Sequence, residues 1–417
     1  MIQRYTCPNG LRIVTEKIPT VRSVALGVWV GTGSKFENDR INGISHFLEH
    51  MFFKGTTSRS AKEIAESFDE IGGNVNAFTS KEYTCYYARV LDQHADLALD
   101  ILSDMYFNST FDSDELEKEK NVVIEEISMY QDTPDDLVHD LIAEASYGNH
   151  PLGYTILGTE EVLRSLTRQD LLTYIDQRYL PSNTVITVAG NFDEALIEAI
   201  KQKFSTYTRA GQPVEVGKPE FAGKTILHHK ATEQAHLCMA FPGFQVGHKD
   251  IYSLIILNNI LGGSMSSRLF QEVREERGLA YSVYSYHSSY KEAGTFNIYT
   301  GTAPEHASQV FDIVTQVLHD VTNNGITPRE LNKGKEQLKG SLMLSLESTN
   351  SRMNRLGKNE LLLGHHLTLD EITARIDDVT NESVHRVAQS IFKNQLALSM
   401  VSPLEAFPAN MKTDVLV

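Results

Sequence analysis

The sequence predicts an α+β protein of two related domains, each a mainly antiparallel sheet with helices packed against it. Three observations carry this. At 417 residues the chain is too long for one ordinary core. Residues 208–222, TRAGQPVEVGKPEFA, have the Gly/Pro/polar character of a linker. Around that segment the sequence repeats weakly. His94-Ala95 with ALDILSDM resembles His306-Ala307 with FDIVTQVL, and DELEKEKNVVIEEI resembles RELNKGKEQLKGSL. Tyr179-Leu180-Pro181-Ser182-Asn183 before TVITVAG resembles Ile391-Phe392-Lys393-Asn394 before LALSMV. Each match is weak alone, but all share an offset near 211–215 residues, which argues for two copies of one unit. The domains are accordingly placed at 1–212 and 213–417.

Along the chain, Asn9-Gly10 marks a turn, followed by the strand-like LRIVTEK and Val24–Val30. GISHFLEHMFFKG has helical apolar spacing and ends at Gly55, a residue suited to follow a helix C-terminus. Ser60-Ala61-Lys62-Glu63 is a capping box opening a helix that stops at Gly72-Gly73. NVNAFTSKEYTCYYARV is rich in β-formers and long enough for a strand or a hairpin. His94 to Phe107 read as helix. Asp112 or Ser113 can cap a long helix through DELEKEKNVVIEEISMY, and Thr133-Pro134 restarts one with proline at its first position.

Composition narrows the function. Hydrophobic residues make up 41% and charged residues 22%, the profile of a soluble globular protein. A formal charge of -16 argues against nucleic acid and anionic membrane surfaces as partners. Three scattered cysteines with no CxxC pair exclude a disulfide framework and an all-cysteine metal site. The N-terminal stretch has neither a signal-peptide core nor a transit-peptide pattern, and no apolar run approaches the roughly 20 residues of a membrane span. A cytoplasmic location is expected.

The chemistry concentrates in GISHFLEHMFF, where two histidines and a glutamate interrupt an apolar run. On a helix His46, Glu49 and His50 fall within a sector of roughly 100°. Histidines at i, i+4 can reach one ion, and Glu49 can lean over the same point without binding it. The competing reading is two core histidines satisfied by backbone carbonyls, with Glu49 ion-paired. A zinc site needs a third protein ligand and, if catalytic, an open fourth position. The long helix after Ser113 offers Glu119 and Glu126, seven apart on a stripe with Val122, Val123 and Tyr130. A carboxylate on an apolar stripe is costly unless paired or metal-bound, which suits Glu126 as ligand and Glu119 as its support. Glu125 shares a stripe with Lys118 and reads as solvated. By the repeat register Glu119 falls near Gly334 and Glu126 near Ser341, and DIYSLIILNNIL replaces the His-Glu-His run, so the second copy lacks the costly polar groups. Residues needed by the fold should persist in both copies; functional ones need not.

With HFLEH followed by the Glu119/Glu126 pair, the chain resembles the inverted-motif zinc peptidases. More closely, it is similar over essentially its whole length to bacterial relatives of the mitochondrial processing peptidase β subunit, in the pitrilysin/insulysin superfamily. That resemblance implies His46, His50 and Glu126 as ligands of one zinc ion per chain, Glu49 as catalytic base and Glu119 as its assistant. It implies that Gly72-Gly73-x-x-Asn76-Ala77-Phe78-Thr79 ends in an edge strand that pairs with substrate, and that Arg274 and Tyr281 of REERGLAY reach the substrate. It also implies a homodimer enclosing a chamber. The expected function is therefore a zinc metalloendopeptidase acting on extended or unfolded peptides. A non-catalytic scaffold or partner subunit of the same fold is the alternative, and a small-molecule zinc hydrolase fits the motif but not the duplicated architecture. LGGSMSSRLF is no phosphate loop, lacking the GK[ST] ending. His228, His229, His236, His365 and His366 lack a carboxylate at helical spacing and read as satisfied or surface residues.

Overall fold

The structure, a computed structural model, describes residues 2–209, 211, 214 and 216–414. The expected boundary at 212/213, with Ala210 and Glu215 of the expected linker, lies outside these residues. The chain forms two compact units that are not contiguous in sequence: Met1–Ser128, Thr155–Val216 and Ser345–His366 make the first, and Met129–Tyr154, Gly217–Leu344 and Leu367–Val417 the second.

The elements run β1 (Ile2–Thr6), β2 (Arg12–Lys17), β3 (Ser23–Val30), α1 (Ile44–Met51), α2 (Ala61–Asp69), β4 (Asn74–Thr79) and β5 (Thr84–Leu91). Helices α3 (Ala95–Asn108), α4 (Ser113–Asp132), α5 (Pro134–Tyr147), α6 (Glu160–Ser165) and α7 (Arg168–Arg178) precede β6 (Thr184–Gly190) and α8 (Glu194–Phe204). The second half has β7 (Thr225–His229), β8 (Ala235–Pro242), α9 (Ile251–Gly262), β9 (Ala280–Ser289) and β10 (Gly294–Thr302). Helices α10 (Ala307–Asn324), α11 (Pro328–Ser345), α12 (Thr349–Leu362), α13 (Leu369–Asp377) and α14 (Asn381–Phe392) lead to β11 (Ala397–Ser402).

The first unit's sheet has the order β1-β2-β6-β3-β5-β4, with β2/β6 its one parallel pair. The second has the order β7-β11-β8-β10-β9, with β7/β11 its one parallel pair. Apart from β1, the two sheets share order and sense strand for strand. This is the α+β duplication that the offset of the sequence repeat predicts.

Several local signals act as their chemistry requires. Ser60 accepts from the Glu63 N–H while the Glu63 carboxylate accepts from the Ser60 N–H, a complete capping box. The Asp112 carboxylate accepts from the N–H groups of Asp114 and Glu115, so Asp112 and not Ser113 caps α4. The β-rich segment after Gly73 is a hairpin, β4 and β5.

Each sheet is covered on both faces. In the first unit one face carries the main core, built with α1, α3, α7 and α8. The other face carries α12, whose Met353 and Leu356 pack with Val14, Ala25, Trp29, Val185 and Ala189. In the second unit α5 plays the same part, setting Val138, Ile142 and Ala145 against Cys238, Ala240, Ala397 and Val401. Burial on both faces explains why β3 reads SVALGVWV, a near-continuous apolar run without alternation.

The α12 contact is unusually close. A Cβ on Gly357 would lie 2.1 Å from the Trp29 ring, and one on Gly27 would lie 2.5 Å from the Met353 sulfur. The Trp29 ring cannot retreat: it is fully buried and its Nε1–H donates to Thr187 Oγ1 at 3.0 Å. The helix is further tied by its buried Glu360 carboxylate, which accepts from Arg4 and Arg12. Gly357→Ala therefore has a diagnostic sign. Helix propensity alone would stabilise by about 1 kcal/mol, whereas overpacking against a fixed ring costs about 1–3 kcal/mol or more. We expect net destabilisation in urea unfolding followed by fluorescence of Trp29, the chain's single tryptophan. A raised midpoint would contradict the close approach.

Candidate metal centre

Helix α1 is only eight residues long and has two unlike faces. Ile44, Phe47, Leu48 and Met51 recur at i, i+3, i+4, i+7 and are buried in the main core. His46, Glu49 and His50 occupy the remaining sector, near α4 and the end of β4.

There His46 Nε2 lies 3.7 Å and His50 Nε2 3.6 Å from Glu126 Oε2. One ligand atom from each of the three residues lies within 4.8 Å of the others, and they form the one such cluster among the described residues. These separations are too long for hydrogen bonds. They approach the spacing of about 3.3 Å between neighbouring ligand atoms of a tetrahedral zinc ion with bonds near 2.0–2.1 Å. The donor set fits a divalent metal of the zinc type: two imidazoles and one carboxylate, one protein ligand fewer than a tetrahedral ion takes.

The surrounding groups prepare the ligands unequally. His50 Nδ1 is 2.8 Å from Glu119 Oε1, a contact that puts the ring proton on Nδ1 and leaves the Nε2 lone pair for an ion. Glu119 is 5% exposed and is held on its other oxygen by Lys54 Nζ at 2.5 Å. Burial would raise its pKa, but the hydrogen bonds from His50 and Lys54 prevail and hold it below the ordinary carboxylate range. His50 titrates above its ordinary value: burial opposes its charge, but Glu119 and the other carboxylates outweigh that. His46 is pushed down to about 3, first by burial and then by the neighbouring His50, and is thus neutral, the form that binds metal. Its buried Nδ1 has no hydrogen-bond partner among the described residues.

Glu49 stands apart from the ligand cluster. Thr79 Oγ1 donates to its Oε2 at 2.5 Å. Burial raises its pKa, opposed in part by Thr79 and His50. Glu126 is also raised by burial, with His50 opposing. The edge strand is present as expected: β4 ends the sheet with only β5 beside it, and the Ala77 N–H donates to the Asn76 side-chain Oδ1 at 2.8 Å.

The structure corrects the stripe assigned to α4. Val123 and Glu119 are buried and Glu126 is half-buried, but Val122 is 51% exposed and Tyr130 is exposed, so only part of the expected stripe faces the core. Lys118 pairs with Glu115 at 2.6 Å, while Glu125 is exposed as expected. Arg274 and Tyr281 belong to the second unit. A turn of π-helix over Phe270–Glu275 carries Arg274, Gly278 follows at φ +61°, and Tyr281 stands at the start of β9, 77% exposed. Arg274 lies 4.5 Å over the Tyr281 ring and donates to the Tyr281 carbonyl at 2.7 Å. Among the other histidines, His366 pairs with Glu360 at 3.1 Å and His236 with Tyr299 at 2.9 Å. Thr79 was expected on the edge strand, but its hydrogen bond to Glu49 and the pairing of Lys54 with Glu119 were hidden in the sequence, since each is defined by a partner far along the chain.

Residues 12–160 match the family model described as insulinase (peptidase family M16), and residues 165–338 match that described as the peptidase M16 inactive domain. The chain is 59% identical to a Bacillus subtilis protein named as an uncharacterized zinc protease, covering 98% of this chain and 100% of that one. A Streptomyces coelicolor protein, also named as an uncharacterized zinc protease, is 41% identical over 97% of this chain and 90% of its own. A solved Pseudomonas fluorescens structure, titled as a peptidase M16 inactive domain, superposes with a TM-score of 0.91 at 22% identity, covering 98% and 99% of the two chains. A Helicobacter pylori structure titled as a protease gives 0.89 at 24%, covering 97% and 99%.

Zinc added to the metal-free protein should raise its unfolding temperature. An ion bound only to the folded state contributes about 4 kcal/mol at a thousandfold excess over its dissociation constant. His46→Ala, His50→Ala and Glu126→Gln should each abolish the shift, and Glu119→Ala should weaken zinc binding by about 10–100-fold. A shift that survives all three ligand substitutions would place the ion elsewhere.

Proposed function

Since the chain belongs to the insulinase family of peptidases, M16, we propose that it is a zinc metalloendopeptidase that hydrolyses extended or unfolded peptides. The observation that carries this reading is the convergence of His46, His50 and Glu126 beside Glu49 and the open edge of β4. The names of the relatives support it. Zinc held there would lower the pKa of a coordinated water and polarise the scissile carbonyl.

The chain's own residues do the rest. Glu49 takes a proton from the attacking water and delivers it to the leaving amine, a role helped by burial that lifts its pKa toward the working range. Thr79 holds one Glu49 oxygen and leaves the other for the proton. Glu119 fixes the ring of His50. The peptide adds as a strand along Asn76–Thr79, gaining affinity from backbone hydrogen bonds and tolerating varied side chains. The Ala77 N–H, now held by the Asn76 side chain, is a donor it would use. Arg274 and Tyr281 would hold the substrate.

Among the described residues no helix is long and apolar enough to cross a membrane. Three free cysteines suit a reducing compartment, so we assign the cytoplasm. The resemblance implies four αβ domains around an enclosed substrate, and one chain supplies two, so we assign a homodimer.

Glu49→Gln should retain zinc but lose cleavage of a quenched peptide by at least about a hundredfold. Near-wild-type turnover would remove Glu49 as base, whereas a wild-type chain that binds zinc yet cleaves no peptide would favour the partner-subunit alternative. For the assembly, mass in solution should be that of a dimer, and a short peptide should be cleaved while a stably folded protein is spared. A fully active monomer would refute the enclosure.

A further inference from the structure

The two histidines of α1 are supported differently. Glu119 orients the ring of His50, but His46 Nδ1 is buried without a hydrogen-bond partner among the described residues. Something other than a side-chain hydrogen bond must place His46.

A two-turn helix has little stability of its own, so its direction is set by whatever holds its ends. The N-cap of α1 is Gly43, at φ +97°, which has no side chain to cap the helix. Alanine cannot replace it, because a Cβ there would lie 2.5 Å from the Leu157 carbonyl oxygen. The missing cap comes from Glu37, six residues upstream and 4% exposed. Its Oε2 accepts from Gly43 N–H at 2.7 Å and Asn42 Nδ2 at 2.9 Å, and its Oε1 accepts from Ser45 N–H at 2.9 Å. Ser45 is the residue before His46. Its hydroxyl is fixed in turn by Tyr174 Oη at 2.7 Å, and that hydroxyl by Thr32 at 2.9 Å.

The segment that carries Glu37 is anchored to the β4–β5 hairpin. Ser34 N–H donates to the Ser80 carbonyl at 3.3 Å and Lys35 N–H to that of Lys81 at 2.8 Å. The buried Lys35 ammonium pairs with Glu82 at 2.7 Å. One loop therefore grips both the start of α1 and the turn just past Thr79, which donates to Glu49.

We propose that Glu37 is a positioning residue for the metal centre, fixing His46 through the backbone as Glu119 fixes His50 through its ring. The proposal rests on the metal centre argued above. A carboxylate is required, because both its oxygens face donors. In Glu37→Gln the amide nitrogen would confront one of those N–H groups.

Zinc affinity of the full chain, by competition with a chromophoric chelator, tests this alongside thermal unfolding of the metal-free forms. Glu37→Gln should weaken zinc binding by about 10–100-fold, and Glu37→Asp, which keeps the charge but is shorter, by less. Gly357→Ala supplies the control: it should destabilise the same unit from the far face of the sheet and leave affinity unchanged. Affinity within about threefold of wild type in both Glu37 variants, or a loss matched by Gly357→Ala, would overturn the proposal. Should Glu37→Gln fail to fold, Glu37→Asp against Gly357→Ala decides. A wild-type chain that binds no zinc would overturn the metal reading and this one together; wild-type binding with unaltered variants would overturn this one alone.

Discussion

Helix α1 must do two incompatible things within eight residues, and much of the first unit is arranged around that conflict. Its Ile44, Phe47, Leu48 and Met51 side chains fill the core, while His46, Glu49 and His50 remain largely shielded from water. Removing polar groups from water costs several kcal/mol each unless partners replace the lost hydration. Glu119, itself held by Lys54, partners His50, and Thr79 partners Glu49. For the His46 ring no side chain among the described residues does so; on the proposed reading an ion would take its Nε2, and the buried Nδ1 stays without a hydrogen bond. A cluster so incompletely satisfied within the protein is poor as a purely structural device.

The duplicated unit shows what the fold alone requires. Its sheet repeats the strand order and the single parallel pair, yet α9 carries Leu254, Ile256, Leu257, Ile260 and Leu261 in the core. Where the register sets Gly334 in the place of Glu119, a Cβ on that glycine would lie 3.1 Å from Ile256 Cγ2. Helix α11 thus approaches α9 through a small residue and apolar contact, whereas α4 meets α1 through Glu119 and His50. The same topology is built there without the His-Glu-His set of α1 or a counterpart of Glu119. The polar groups of the first unit are therefore not the cost of making the fold, and selection for chemistry is the remaining reason to keep them.

What could be read from sequence divides along a physical line. The Ser60 capping box, the Asp112 cap and the β4–β5 hairpin depend on residues a few positions apart, so their signals are local. HFLEH was legible for the same reason, since i, i+4 spacing on one helix needs no knowledge of the fold. Placement of α5 and α12 was not legible. Each packs on the second face of a sheet built mostly from the other half of the sequence, and an amphipathic helix does not say which sheet it will cover. The unalternating run of β3 was a signal that both faces are buried, but it does not name the covering element. Val122 fell outside the buried stripe because periodicity gives a helix face only to within a residue or so. Lys54 and Glu37 carry no motif, and Thr79 was legible only through the family's edge-strand pattern; the partners of the three lie between 5 and 65 positions away.

Three carboxylates meet around the two histidines of α1, and their surroundings separate them more clearly than their sequence positions do. Glu119 has a cation and an imidazole as donors and stays ionised below its ordinary range, which suits an orienting anion. Glu126 is raised by burial and faces two imidazole nitrogens at distances no hydrogen bond spans, which suits a ligand awaiting an ion. Glu49 is raised by burial too, but the hydrogen bond it accepts comes from a neutral hydroxyl at the end of an open sheet edge. A carboxylate so placed can gain and release a proton without breaking an ion pair, the property a general base needs. Environment, more than residue type, divides the proposed labour here: one glutamate holds a ligand, one is a ligand, and one is left able to exchange a proton.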